Sequence, residues 1–189
     1  VDRTARRSDR LATLAEETGA TPHVIDAANE AAMTALVGAT QFDLIVANAG
    51  AGAAMTALTD ADPAEIARLV TLNVTSVLQL IGAALPGMAA RKRGHIITIG
   101  SVAGLYPSGA TLYGATKHAV RGMARNLRLE TLGTGVRFTD IQPGRVRTEF
   151  YDVAVKDDSA RDAIKETGIH ELAPADVAED RAPKPSDTA

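Results

Sequence analysis

Three residues in one stretch of the chain, Ser101, Tyr113 and Lys117, have the types and spacing for proton exchange with a small polar oxygen. Tyr113 and Lys117 stand four apart, so on a helix they share a face and the ammonium can approach the phenol. A tyrosine titrates near pH ~10 and needs a shift of roughly 3 units, or about 4 kcal/mol, to work as an acid or base at neutrality. One cation about 4 Å away, at an effective dielectric near ~20, supplies about that much. Ser101 closes an apolar run and can donate a hydrogen bond to an oxygen on which charge develops. By itself the YxxxK spacing is a weak signal, because a solvated lysine beside a packed tyrosine has the same letters.

The elements around these residues follow a regular rhythm. Short apolar runs at 23–26 (HVID), 42–47 (FDLIVA), 95–100 (HIITIG) and 136–141 (VRFTDI) alternate with helical patterns at about 8–18, 29–39, 63–90 and 112–132. Continuous apolar character suits strands covered on both faces, so the pattern predicts an α/β domain with a parallel sheet between layers of helices. The third helix starts at Asp62 as cap, with Pro63 in its first turn and Glu65 as a capping-box acid, and is expected to end near Pro86-Gly87. In the fourth, Ala115, Ala119 and Gly122 make a small-residue side open to a partner helix or to packing within the chain. Asp2 and Arg3 make the opening VDRTA a poor buried strand, and the tail 174–189 reads as flexible after a single domain over 1–173.

With the strand, the serine and YxxxK in this order, the chain resembles the short-chain dehydrogenase/reductase family, and its wording resembles the NADP-dependent 3-hydroxy acid dehydrogenase-like subgroup. Further motifs agree in order: ANAG over 47–50, Asn73 in LNVTSV, Asp26 in VIDA and PGRVRT over 143–148. The resemblance implies a Rossmann-like doubly wound sheet and an alcohol–carbonyl interconversion by hydride transfer. In it Asn73, Ser101, Tyr113 and Lys117 form a catalytic tetrad, with Lys117 lowering the Tyr113 pKa and binding ribose and Asn73 holding a water. It also implies cofactor contacts at Asp26, Ala27, Asn48, Ala49, Gly50, Pro143, Gly144, Val146 and Thr148. Arg6 and Arg7 fall where an arginine accommodates the 2′-phosphate of NADP, so NADP is expected before NAD. A small-molecule substrate, a mobile segment at about 149–172 over it, and a homodimer or homotetramer complete what the resemblance implies.

Each motif also has a plainer reading: Asn48 and Gly50 as a turn, Asn73 as a buried polar group at a helix bulge, Asp26 as a helix cap, Pro143-Gly144 as a loop. The chain departs from the family pattern as well. No GxxxGxG turn is found, the first strand that would carry it and the last strand are expected to be lacking, and Tyr113 follows Ser101 by twelve residues, one fewer than is common. These departures motivate a second reading, a noncatalytic relative that binds a partner through the 112–132 helix. In the family pattern Ser76 and Ser108 are less plausible substitutes for Ser101, and a serine hydrolase is a third reading, with no GxSxG elbow around Ser101 to support it.

Composition narrows the classes further. With 46% hydrophobic residues over 189 there is material for one core, and 20 basic against 23 acidic side chains leave a net charge of −3, no field for nucleic acid or anionic membranes. The apolar stretch 77–90 is short for a bilayer span, and the charged start VDRTARRSDR is not a secretory signal. The absence of cysteine excludes disulfides and thiolate chemistry and fits a cytoplasmic setting. His23, His95, His118 and His170 lack metal-ligand spacing, so no metal is expected.

Overall fold

The computed structural model describes residues 1–52, 58–107, 109–155, 158–165, 168–169 and 171–179. Ser108, His170 and 180–189 of the expected tail lie outside them. Strands and helices alternate from the start: β1 (Asp2–Ala5), α1 (Ser8–Thr18), β2 (Thr21–Val24), α2 (Glu30–Ala39), β3 (Leu44–Ala47), α3 (Pro63–Val70), α4 (Ser76–Ala90), β4 (Gly94–Ile99), α5 (Thr111–Glu130) and β5 (Val136–Ile141). Three short helices follow, α6 (Phe150–Ala154), α7 (Asp158–Lys165) and α8 (Pro174–Glu179).

All strand pairs are parallel, in two sheets, β1-β2 and β3-β4-β5. Among the described residues no strand joins the two. The order is the one a doubly wound sheet has on either side of a central strand. Ile45, Ala47, Ile96, Val136 and Phe138 of the larger sheet pack with Val77, Ile81, Ala84 and Met88 of α4 and Leu127 of α5 to form the core. The successive residues Ile96 and Ile97 of β4 are both buried, as befits a sheet covered on both faces.

The opening segment forms a strand and, as Asp2 and Arg3 lead one to expect, not a buried one. It is strand β1, and only half of it is covered: Asp2 and Ala5 are half-buried, Arg3 and Thr4 exposed. Asp2 is tolerated there because its carboxylate meets His23 Nε2 on β2 at 2.8 Å. A strand that stays partly in water can hold a carboxylate with a hydrogen-bond partner where a fully buried one cannot.

Pro63–Ala90 is one helical run with a π turn, Thr71–Thr75, in its middle. Asp62 caps it as expected, accepting from the Ala64 N–H at 2.9 Å, whereas Glu65 pairs forward with Arg68 at 3.6 Å instead of closing a capping box. The run continues through Pro86 to Ala90. Proline there forfeits one bond to the preceding turn, and burial of Met88 (1% exposed) holds the last turn against the sheet. By length and composition this run could cross a membrane. Leu69, Val77, Ile81, Ala84 and Met88 of the run are buried inside the fold, whereas Val70 and Leu78 are exposed.

Two more expectations are revised. The 174–189 tail begins with a helix, α8, whose Asp176 carboxylate accepts from the Ala173 N–H at 2.7 Å. The Ala115, Ala119 and Gly122 side of α5 is exposed, so it takes no part in packing within the chain.

Candidate active site

The residues singled out for chemistry gather at the carboxyl ends of β3, β4 and β5, the edge of an open α/β sheet where ligands bind. Ser101 stands two residues past the end of β4, in an extended conformation, and accepts from the Ala103 N–H at 3.1 Å to start the short turn Val102–Gly104. That turn lies against the first turns of α5. A Cβ on Gly104 would come within 2.7 Å of the Lys117 carbonyl oxygen and 2.9 Å of its carbon. Close approach of backbone to backbone brings the Ser101 side chain near enough to Tyr113 to lower the pKa of its phenol. Gly104→Ala is therefore expected to destabilise the fold by about 1–3 kcal/mol, since neither backbone can give way locally. It should lower turnover in parallel by pushing Ser101 from Tyr113; urea midpoints and kcat on the same preparation check both.

Lys117 is buried (9% exposed), and its Nζ donates to the Ile99 carbonyl at 2.8 Å while standing 5.6 Å from the centre of the Tyr113 ring. Burial lowers its pKa to about 8, with the nearby Asp140 carboxylate acting in the other direction. Asp140 is itself held by the Thr98 hydroxyl at 2.8 Å and by Gln142 Nε2. Burial likewise raises the Tyr113 phenol, partly offset by the Ser101 hydrogen bond and reinforced by Tyr151. The expected lowering of Tyr113 by Lys117 is thus not present in the chain by itself: the ammonium is committed to a carbonyl, and both groups are drawn out of water. The shift favours the protonated phenol, the form that can give a proton to a substrate oxygen.

Asn73 sits inside the π turn, 2% exposed. Its Oδ1 accepts from the Ala51 N–H at 2.9 Å, and its Nδ2 donates to the Ala51 carbonyl at 2.9 Å and to Thr116 Oγ1 at 3.1 Å. Both readings made of it meet here, a buried polar residue at a helix bulge that also stands in the site. The extra residue of a π turn redirects one side chain, and this one pins the segment after β3 to α5. Gly50 is the close neighbour: a Cβ there would lie 3.3 Å from Asn73 Oδ1 and 3.8 Å from Lys117 Nζ.

The remaining residues surround this centre. Asn48, Ala49 and Gly50 are exposed at the end of β3. Pro143 and Gly144 begin the loop after β5, where the Pro143 carbonyl accepts from the Val102 N–H at 3.0 Å. Val146 makes a parallel bridge with Leu172, and Thr148 Oγ1 accepts from the Phe150 N–H at 3.3 Å. Arg6, Arg7, Asp26 and Ala27 lie at the ends of β1 and β2, in the other sheet. Asp26 caps the turn to Asn29 through the Ala28 N–H at 2.9 Å and lies 3.9 Å from Arg6, while Asn29 caps α2. Sequence reasoning missed Arg10, Glu149 and Phe150. Arg10 follows Arg7 by three on α1, a spacing that signalled a shared side; Glu149 and Phe150 carried no such signal.

This arrangement bears comparison with known proteins. The family model described as short chain dehydrogenase matches residues 1–159. The chain belongs to the short-chain dehydrogenase family. Within that family it is 37% identical over 185 residues to the NADP-dependent 3-hydroxy acid dehydrogenase YdfG of Escherichia coli (strain K12), covering 93% of this chain and 75% of the relative. Among solved structures, the closed form of serine dehydrogenase complexed with NADP+ is 36% identical with a TM-score of 0.88, over 95% of this chain and 76% of that one. A 3-oxoacyl-[acyl-carrier protein] reductase from Brucella melitensis ATCC 23457 is 28% identical with a TM-score of 0.81, over 95% and 72%. As a short-chain dehydrogenase the chain is an oxidoreductase with a Rossmann-like α/β fold, and the subgroup resemblance read from its wording agrees with these relatives.

Proposed function

We propose that this protein interconverts an alcohol and a carbonyl on a small 3-hydroxy acid, with NADP as the cofactor, through Tyr113, Ser101, Lys117 and Asn73. The observation that carries the reading is the half-buried Tyr113, its phenol under the influence of the Ser101 hydroxyl, beside the buried Lys117 ammonium, all at the carboxyl edge of the sheet. The names of the relatives, a 3-hydroxy acid dehydrogenase and a serine dehydrogenase bound to NADP+, support both substrate class and cofactor.

The chain offers matching groups for parts of NADP. Arg7 and Arg10 already hold a carboxylate in a fork, the geometry that suits a 2′-phosphate. Lys117 and Tyr113 offer polar atoms to a ribose, and the exposed Asn48–Gly50 segment leaves backbone open to it. When bound, NADPH supplies the hydride. In the reductive direction Tyr113 gives its phenolic proton to the substrate oxygen, and Ser101 donates a hydrogen bond to that oxygen as charge builds on it. Lys117 stabilises the phenolate left behind. Asn73 holds the Ala51 backbone and α5 in fixed relation, and a water in a proton relay would complete its part. We place the whole reaction in one domain, residues 1–173, in a cytoplasmic homo-oligomer, with the exposed Ala115, Ala119 and Gly122 side of α5 as the face open to a second copy.

Calorimetric titration with NADPH and NADH, followed by oxidation assays on serine and 3-hydroxybutyrate, tests the proposal. Tighter binding of NADPH with NADP-dependent oxidation of either acid is the expected result. Binding of neither nucleotide would overturn it.

A further inference from the structure

A carboxylate that the proposed chemistry does not use, that of Asp140, acts on the buried Lys117 ammonium. Asp140 lies opposite Thr98 in the parallel register of β5 and β4, next to Ile99, whose carbonyl accepts from Lys117 Nζ at 2.8 Å. The half-buried carboxylate is fixed from two sides: Thr98, 1% exposed, donates its hydroxyl to Oδ1 at 2.8 Å, and Gln142 Nε2 donates to Oδ2. Gly100 leaves the room for it, since a Cβ there would stand 3.0 Å from Asp140 Oδ1. The Gln142 amide reports on the charge it faces. Its Oε1 is buried without a hydrogen-bond partner while its Nε2 goes to Asp140. Leaving an acceptor unpaired is costly, and a carboxylate, which only accepts, holds the amide in that sense.

The other groups that face Lys117 leave its charge to Asp140. The Tyr113 ring, its centre 5.6 Å from Nζ, belongs to the same helix, and Asn73 of the π turn and Gly50 bring no charge. Arg121, one turn on along α5, is directed to the Gly104 carbonyl at 3.5 Å, and Glu65 of α3 is paired with Arg68 at 3.6 Å. Tyr151 of α6 acts on Tyr113. We propose that Asp140, fixed by Thr98 and Gln142, is a positioning residue of this site: its carboxylate is the counter-charge that keeps Lys117 cationic while the ammonium serves the Tyr113 phenolate. Burial favours the neutral amine, and an opposite charge a few Å away favours the ammonium. A direct ion pair would draw Nζ away from Tyr113; a charge held on the next strand stabilises the ammonium where the Ile99 carbonyl keeps it. The part in catalysis rests on the reductase reading above; the coupling of Asp140 to Lys117 does not.

The full chain as wild type, Asp140→Asn and Asp140→Glu tests this. Asparagine keeps the shape: its Oδ1 can accept from Thr98 and its Nδ2 can donate to a turned Gln142 Oε1, so the network closes without the charge. Lysine labelled with carbon-13 at Cε gives a Lys117 resonance, identified by its loss in Lys117→Met, whose titration is followed beside kcat for NADPH-dependent reduction of acetoacetate. The wild-type midpoint should fall near 8. It should drop by about one unit in Asp140→Asn, the low end for loss of a nearby opposite charge, and stay within about half a unit of wild type in Asp140→Glu. At pH 8 the ammonium is then about half populated in the wild type and about one-tenth in Asp140→Asn. Turnover of Asp140→Asn should accordingly be about five-fold below wild type at pH 8 and within about two-fold at pH 6, with Asp140→Glu recovering most of the loss. An unmoved midpoint in Asp140→Asn would overturn the coupling whatever the rates do. A lowered midpoint with the same loss of kcat at pH 6 and pH 8 would overturn the part in catalysis. A lowered midpoint in proteins that reduce no 3-oxo acid would uphold the coupling and sink the reductase reading instead.

Discussion

Tyr113→Phe should lower kcat for NADPH-dependent reduction by about 10²–10⁴-fold, the range lost when a positioned acid is removed, while NADPH affinity stays within a few-fold of wild type. The substitution deletes one oxygen and leaves the ring that packs 5.4 Å from Phe150. The neighbouring cover and core therefore keep their shape, and the loss falls on proton transfer. Tyr113 is held protonated by burial, so the wild type has its proton in place across the neutral range. Steady-state rates and calorimetric NADPH affinities, measured together, check the two halves. A variant that keeps full kcat would remove Tyr113 from the chemistry and with it the proposed mechanism.

Lys117→Met should yield a protein without turnover that resists urea better than the wild type at pH 7. The buried ammonium titrates at about 8 in the folded chain, against 10.5 for an ordinary lysine. Below pH 8 both states carry the proton, and the folded state bears the whole desolvation penalty, on the order of 2–3 kcal/mol. As pH rises from 8 towards 10.5 the folded lysine releases its proton first, the unfolded state binds more protons, and wild-type stability climbs. Methionine removes the penalty at every pH but forfeits the bond to the Ile99 carbonyl, about 1 kcal/mol. The variant should therefore lead by about 1–2 kcal/mol at pH 7, the lead shrinking by pH 9.5. Urea titrations at the two pH values decide it; an equal gap at both would show that the charge of Lys117 is not what the fold resists. Wild-type reduction should fall above pH 8 for the same reason, as the cation that steadies the phenolate is lost.

Much of the site was legible because its parts are local. Tyr113 and Lys117 are four apart on a helix whose pattern is plain, and Ser101 ends an apolar strand, so both lie where periodicity put them. The bulge at Asn73 was open to inference from a polar residue set in an otherwise apolar helical stretch, and the π turn is there. Where a local rule competed with tertiary packing, the rule lost. Pro86 did not end α4, because burial of Met88 outweighs one missing hydrogen bond. Asp2 did not prevent a strand, because β1 stays partly in water and the carboxylate finds His23.

The sequence by itself determined the α/β rhythm, the helices that carry Tyr113 and Lys117, and the family to which they belong, since these rest on spacing within a few turns of chain. Only the tertiary structure decided three things. The Tyr113 phenol rises because burial sums over neighbours from several elements. The Lys117 ammonium faces the Ile99 carbonyl, a partner eighteen residues away on another element. Arg7 and Arg10 hold Glu149, which stands 139 residues beyond Arg10. Electrostatic energies depend on distance through space and on solvent exposure, and neither is a function of position along the chain.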